Sequence, residues 1–176
     1  LHGSQAKLPK KPCILEHFET AIDLKIRMKK KLKKHKFSAI IHLAAVGDYF
    51  VVGINGQPLD QKTKIESSGK ALDIKLKPTP KIAERIRSWC QGQQTCFIPF
   101  KLTSSHNSKE RLSAIANLFK KTDANYVVHN NVSDRENGAQ TNFQILENES
   151  TKIFSSQSSE ELAQSLIKIC TDFSCS

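Results

Sequence analysis

The sequence predicts an α/β protein, a Rossmann-like three-layer α/β/α architecture with a mostly parallel sheet and a carboxyl-terminal hairpin and helix. Three observations lead there. Nearly continuous apolar runs at residues 37–46, 95–102 and 124–129 suit strands buried on both faces. Between them lie stretches whose apolar residues recur at steps of three and four, the spacing of amphipathic helices. Near the carboxyl end, Phe143 with Ile145 and Ile153 with Phe154 flank Glu147-Asn148-Glu149-Ser150, which reads as a hairpin.

The elements follow in order. Between Glu19 and His35, the residues Ala21, Leu24, Met28 and Leu32 form one apolar stripe, and the opposite faces are almost all lysine. The run at 37–46 should then lie inside a parallel sheet. Residues 51–70 contain Gly53, Asn55-Gly56, Pro58 and Ser67-Ser68-Gly69, the composition of a long, mobile loop. At 71–77, Leu72, Ile74 and Leu76 alternate with Asp73, Lys75 and Lys77, the period of a half-exposed strand. Thr79-Pro80 is suited to open a helix through Ile82, Ala83, Ile86 and Trp89, because Thr caps a helix and Pro fits its first turn. The strand at 95–102 should lead to a helix at 108–121 with Leu112, Ile115, Ala116 and Phe119 inward, and then to the strand at 124–129. Ser158 or Ser159 can cap a last helix that turns Leu162, Leu166 and Ile169 or Cys170 to one face.

Size and composition narrow the function. The 176 residues suit one domain, and 38% hydrophobic with 25% charged residues is the usage of a soluble globular protein. No apolar run approaches the roughly 20 residues of a membrane span, so the reading is cytoplasmic with no membrane partner. The five cysteines contain no C-x-x-C pair and read as free thiols. H-E-x-x-H, G-x-S-x-G and P-loop patterns are absent, which removes zinc hydrolases, serine hydrolases and P-loop kinases. The formal charge of +10, from 27 Lys plus Arg against 17 Asp plus Glu, favours anionic partners.

In parallel sheets, ligands gather beyond the carboxyl ends of the strands, and the residues there carry two readings each. Ala44 and Ala45 are small enough to admit a ring or a phosphate close to the backbone, or they pack under a helix. Asp48 can hold a base, a sugar or a metal, or close a turn. Lys64, like Lys62, lies in the glycine-rich stretch, where an ammonium can neutralise a phosphate or simply be solvated. Phe100 can stack on a base or pack; Asn130 and Asn131 can read a polar ligand or end a turn. Lys120 and Lys121 can meet phosphates or satisfy a helix dipole. The lysine-rich stretch that begins at Lys25 and ends at Lys36 has the look of a nucleic-acid or membrane face, although such runs are commonly solvated surface.

Taken in order, Ala44-Ala45-Val46-Gly47-Asp48-Tyr49, Lys64-Ile65-Glu66-Ser67-Ser68-Gly69, Lys77-Pro78-Thr79-Pro80-Lys81-Ile82, Phe100-Lys101-Leu102 and Asn130-Asn131-Val132-Ser133 resemble the phosphopantothenoylcysteine synthetase family, the carboxyl-terminal domain of DNA/pantothenate metabolism flavoproteins. The resemblance implies a ligase of coenzyme A biosynthesis. It joins phosphopantothenate and cysteine through an acyl-nucleotide, consumes CTP or ATP, releases pyrophosphate and is assisted by Mg2+. It further implies a catalytic role for Lys64 and a nucleotide pocket of Ala44, Ala45, Asp48, Pro80, Lys81, Ile82, Phe100, Lys120 and Lys121. Asn130 is implied at the substrate, and a homodimer is implied, with no nucleic-acid partner and no protein residues assigned to a metal. Two departures stand out. His129 and Asn131 replace a small residue and an acid of the bacterial pattern. The family's amino-terminal phosphate loop and Asn-Arg-Ser-Ser-Gly segment also have no counterpart, so the single domain is expected to lack an amino-terminal strand and that loop. A non-catalytic nucleotide- or nucleic-acid-binding domain that uses the basic stretch is the alternative.

Overall fold

The structure, a computed structural model, describes residues 1–9, 11–59, 71–147 and 151–175. The Cα framework divides into two compact units, Leu1–Ile26 with Ala44–Lys81 and Arg27–Leu43 with Ile82–Ser176.

The chain opens with β1 (His2–Gly3), which pairs in parallel with β2 (His17–Phe18), and the rings of His2 and His17 lie 5.4 Å apart. Helix α1 (Ala21–Lys34) starts with a reciprocal cap. Thr20 Oγ1 accepts from the Asp23 N–H, and the Asp23 carboxylate accepts from the Glu19 N–H. Leu24, Met28 and Leu32 are buried, as the stripe predicts, and the last turn carries Lys31, Lys33 and Lys34, which suits the helix dipole.

Strand β3 (Ala39–His42) is shorter than the apolar run that contains it. The segment read as a loop from Val51 begins instead with β4 (Tyr49–Ile54), a turn at Asn55-Gly56 and β5 (Gln57–Pro58). Both turn residues have positive φ, 49° and 77°, the geometry of a type I′ hairpin turn that matches strand twist. The aromatic and β-branched residues before that turn favour a strand. Strand β6 (Ile74–Pro78) pairs antiparallel with the other edge of β4, giving a three-stranded sheet in the order β5-β4-β6.

The helix expected from Thr79-Pro80 does not form there. The Thr79 N–H donates to the Asp48 carbonyl (2.8 Å), and regular helix begins only with a 3-10 turn at Ala83–Arg85 and the short α2 (Ile86–Trp89). Ile82, Ile86 and Trp89 are buried.

The second unit is built on β7 (Cys96–Thr103), α3 (Ser108–Thr122) and β8 (Val127–Asn131). Asn107 caps α3 through the Lys109 N–H (2.9 Å), and Asp123 ends it in the left-handed conformation. A 3-10 turn at Val132–Asp134 leads to β9 (Arg135–Glu136) and β10 (Ala139–Gln140). The predicted hairpin is β11 (Phe143–Leu146) with β12 (Lys152–Ser156), and α4 (Ser159–Cys175) closes the chain. Ser158 caps α4 by accepting from the Glu161 N–H, while the Glu161 carboxylate accepts from the Gln157 N–H.

The five-stranded sheet runs β12-β11-β8-β7-β3. β3, β7 and β8 are mutually parallel, with Ala39 opposite Cys96 and Phe100 opposite Val128, while β11 joins β8 and β12 antiparallel. The position of β3 corrects the sequence reading. It forms the edge of this sheet among the described residues, and Ile41 is 40% exposed.

Two adjacent valines show the layers. Val128 packs with Cys96, Ile98, Ile145 and the α4 residues Leu162, Leu166 and Ile169, whereas Val127 packs with Ile115 and Phe119 of α3. Successive residues of a strand point to opposite faces, so β8 is covered on both sides and the second unit has three layers. On α3, Leu112 stands exposed and Leu118 packs in its place, a rotation of the predicted face. Arg87 ties the amino ends of β7 and β8 together. Nε donates to the Asp123 carbonyl, Nη1 to the Thr95 carbonyl and Nη2 to Asn125 Oδ1, with the guanidinium 5.6 Å from the Phe97 ring centre.

Candidate functional site

The sequence-predicted site residues fall into both units. Ala44, Ala45, Asp48, Pro80 and Lys81 belong to the first; Ile82, Phe100, Lys120, Lys121 and Asn130 belong to the second. Lys64 lies outside the described residues.

In the first unit, the chain after β3 turns outward, with Ala45, Gly47 and Asp48 exposed and Ala44 half-buried. The Lys81 ammonium donates to the Asp48 carboxylate, and the Thr79 N–H binds the Asp48 carbonyl. Asp48 and Lys81 are therefore joined directly, with Pro80 beside them in the chain. Beside them the β5-β4-β6 sheet carries a groove of about 270 Å³ lined by Val52, Gly53, Gly56, Gln57, Pro58, Lys75 and Lys77. A side chain at position 53 has no room there, because a Cβ would stand 2.7 Å from the Gln57 carbonyl oxygen.

In the second unit, a connected polar cluster occupies the carboxyl ends of β7 and β8. His129 is 5% exposed, and its Nε2 lies 3.0 Å from Thr103 Oγ1, itself buried at the end of β7. Asn131 Nδ2 donates to the Ser105 carbonyl (2.8 Å), and its Oδ1 accepts from the Ser133 N–H (3.2 Å). Arg111 of α3 donates to the carbonyls of Ser105 and His106, holding the loop after β7 from its other side. Gln140 Nε2 donates to the carbonyls of Asn131, Asp134 and Asn142, and Asn142 Nδ2 donates to the Asp134 carboxylate. The loop after β8 is thus knotted by side-chain amides.

Burial lowers the pKa of His129 below its usual 6.5, and the Arg111 and Lys101 charges act in the same direction. Gln144, its cross-strand neighbour, and Asp134 oppose the shift, yet Gln144 leaves the buried Nδ1 without a well-formed hydrogen bond. The ring is neutral at ordinary pH, so it can serve Thr103 as either donor or acceptor. His42, at the carboxyl end of β3, is lowered by burial as well.

Asn130 is half-buried near the end of β8, on the strand face opposite His129 and Asn131, while Asn131 spends its amide on closing the turn. Phe100 does not end its strand. β7 continues to Thr103, and the Phe100 ring packs against the cluster formed with α4. Ile82 is 3% exposed and belongs to the core. Lys120 and Lys121 stand in the last turn of α3, at the amino end of the parallel strands, where Lys121 lies 3.9 Å from Glu84. They and Asn130 therefore occupy opposite ends of the same three strands. Sequence reasoning missed Thr103, Gln140 and Asp134, polar residues whose roles depend on contacts between separate segments.

Among the described residues, no group of three His, Cys, Asp or Glu side chains converges to hold a metal. Magnesium commonly binds through one or two carboxylates plus substrate phosphates, so a metal that arrives on a triphosphate needs no protein cage.

Parallel strands whose carboxyl ends meet in a polar, loop-bound cluster, under helices on both faces, define a Rossmann-like domain. The chain belongs to the DNA/pantothenate metabolism flavoprotein C-terminal domain family, which it matches over residues 2–173. It is similar to the coenzyme A biosynthesis bifunctional protein CoaBC of Thermococcus kodakarensis, at 29% identity over 112 residues. That match takes in 64% of this chain and 26% of the relative, so the chain spans about a quarter of that protein's length. Its fold is similar to the DNA/pantothenate metabolism flavoprotein from Streptococcus pneumoniae, with TM-score 0.78 and 19% identity over 97% of this chain and 79% of the other. It is also similar in fold to a Cab2 mutant in complex with phosphopantothenate-cysteine, with TM-score 0.66 and 19% identity over 89% of this chain and 52% of the other.

Proposed function

We propose that this chain forms the ligase part of a coenzyme A biosynthesis enzyme. It joins phosphopantothenate to cysteine through an acyl-nucleotide, consuming CTP or ATP and releasing pyrophosphate. The family match over nearly the whole chain carries the reading. The name of the Thermococcus relative and the ligand named for the Cab2 structure support it.

Within that reading, Asp48 with Lys81 orients the nucleotide, and Pro80 and Ile82 line its site. Ala44 and Ala45 leave room for it and Phe100 borders it, while Lys120 and Lys121, at the opposite end of the strands from Asn130, serve the α3 dipole rather than the triphosphate. Lys64 neutralises charge as the acyl phosphate develops. Asn130 reads phosphopantothenate at the carboxyl ends of β7 and β8. Magnesium bound to the phosphates supplies further charge neutralisation.

We assign the enzyme to the cytoplasm and to a homodimer. The dimer is supported by one face of the β5-β4-β6 sheet, where the cross-strand pair Val51 and Leu76 joins Tyr49 and Ile74, all exposed. An apolar sheet face of this kind is rarely left to solvent.

A pyrophosphate-release assay with phosphopantothenate, cysteine and CTP or ATP, on the longest natural form of the protein, tests the reading. Turnover with one nucleotide and a loss of about 100-fold or more in Lys64→Gln is expected. Silence with both nucleotides overturns it.

A further inference from the structure

We propose that the outward face of α1 docks on an anionic phospholipid bilayer. The inner stripe of α1, Leu24, Met28 and Leu32, is buried, yet the opposite side is not simply polar. Ile22 and Ile26, one turn apart, are 48% and 60% exposed. At steps of three and four the same side continues into Lys29, Lys30 and Lys33, all exposed, and exposed Lys34 and Lys36 extend it. No acidic residue occurs between Asp23 and Asp48. One helix therefore presents two bare isoleucines followed by a lysine cluster with no counter-charge in its own stretch of chain.

The phosphates of a nucleic acid and of an acidic bilayer attract such lysines alike. The isoleucines separate the two. Against a sugar-phosphate backbone they gain no apolar surroundings. At a bilayer they enter the boundary between headgroups and acyl chains, while lysine stems lie along the surface with ammonium groups among the phosphates. The contact is peripheral, and no described helix is long and apolar enough to cross a membrane. It does not depend on the ligase reading.

Flotation of the full chain with vesicles of phosphatidylglycerol and phosphatidylcholine in a one-to-two ratio tests the proposal, with pure phosphatidylcholine vesicles and a short DNA duplex in parallel. Binding to the acidic vesicles alone, weakening with salt, is expected. Lys29→Gln with Lys30→Gln and Lys33→Gln should lower partitioning by about 100-fold. Ile22→Ser with Ile26→Ser should lower it by about tenfold with every lysine in place. All these side chains are exposed, so unchanged thermal melting confirms that the variants fold. Failure to float with acidic vesicles overturns the proposal. Equal flotation with neutral vesicles, or a serine variant that binds like the parent, also overturns it, and tight duplex binding in that last case assigns the face to nucleic acid.

Discussion

Lys81 donates to the carboxylate of Asp48 across 33 positions of sequence, pinning the segment that follows β6 to the segment that follows β3. Both side chains are more than half exposed, at 57% and 74%, so the pair adds little to stability. In the proposed function its effect is positional, because a nucleotide that uses the carboxylate must share it with Lys81. Asp48→Asn and Lys81→Ala are each expected to cost less than about 1 kcal/mol in denaturant unfolding. Each should raise KM for the nucleotide in the pyrophosphate assay at least severalfold. An unmoved KM in both variants reduces the pair to surface decoration.

Phe100 separates packing from recognition. Its ring rests against the layer that includes Ile98, Val128 and Leu166, so Phe100→Ala should destabilise the protein by about 2 kcal/mol. Phe100→Leu keeps most of that packing. If the ring also borders the nucleotide, the leucine variant melts close to the parent but binds nucleotide about tenfold more weakly. Equal affinity leaves Phe100 a core residue.

His129 makes stability depend on pH. Its folded pKa is lowered below 6.5, chiefly by burial, so the unfolded chain binds the proton more readily. The stabilisation from the neutral ring is complete above about pH 6.5 and is lost as pH falls from there through the lowered folded value. His42 shifts in the same direction. Melting temperature should therefore fall below pH 6.5, and His129→Gln should show a shallower acid slope even though its melting at pH 8 is lower. Parallel slopes in the two proteins rule out His129 as the source.

The exposed face of the β5-β4-β6 sheet predicts an oligomer. Leu76, 52% exposed, pairs across the strands with Val51. Leu76→Glu is expected to convert a dimer into a monomer in sedimentation velocity without lowering the helical circular dichroism signal. A parent protein that sediments as a monomer at micromolar concentration ends the proposal.

The fold was legible where a local pattern and a tertiary role coincide. The α1 stripe, the runs around Ile98 and Val128, the β11 and β12 hairpin and the Ser158 cap each announce themselves within a few residues. The failures have physical causes. An apolar run around Ile40 reads the same at the centre of a sheet and at its edge, since only the neighbouring strand distinguishes them. Thr79-Pro80 has the composition of a helix start, but its N–H is already committed to the Asp48 carbonyl from a distant segment. The Asn55-Gly56 turn was legible in principle, and the aromatic and β-branched residues before it outweigh the loop composition after it.

The candidate site was less legible. Asp48 and Lys81 can be picked out singly from an ordered set of motifs, but their pairing across the β4 and β6 register cannot. The cluster of Thr103, His129, Asn131 and Gln140 draws on three segments, and no spacing rule joins Thr103 to His129. Replacement of a small residue by a buried imidazole becomes meaningful only once the hydroxyl that receives it is located.

The placement of β3 also shapes how the molecule must assemble. The β11 and β12 hairpin closes over a short connection, and β8 lies close before it in sequence, so this corner can form early from nearby contacts. Ala39 has to find Cys96 with the whole stretch from Ala44 to Lys81 as an excursion between them. Closing that excursion costs chain entropy before its contacts repay it, so docking of the edge strand is expected to be the slow event. Mutations within β3 should consequently act on the refolding rate more strongly than equally destabilising changes in α4.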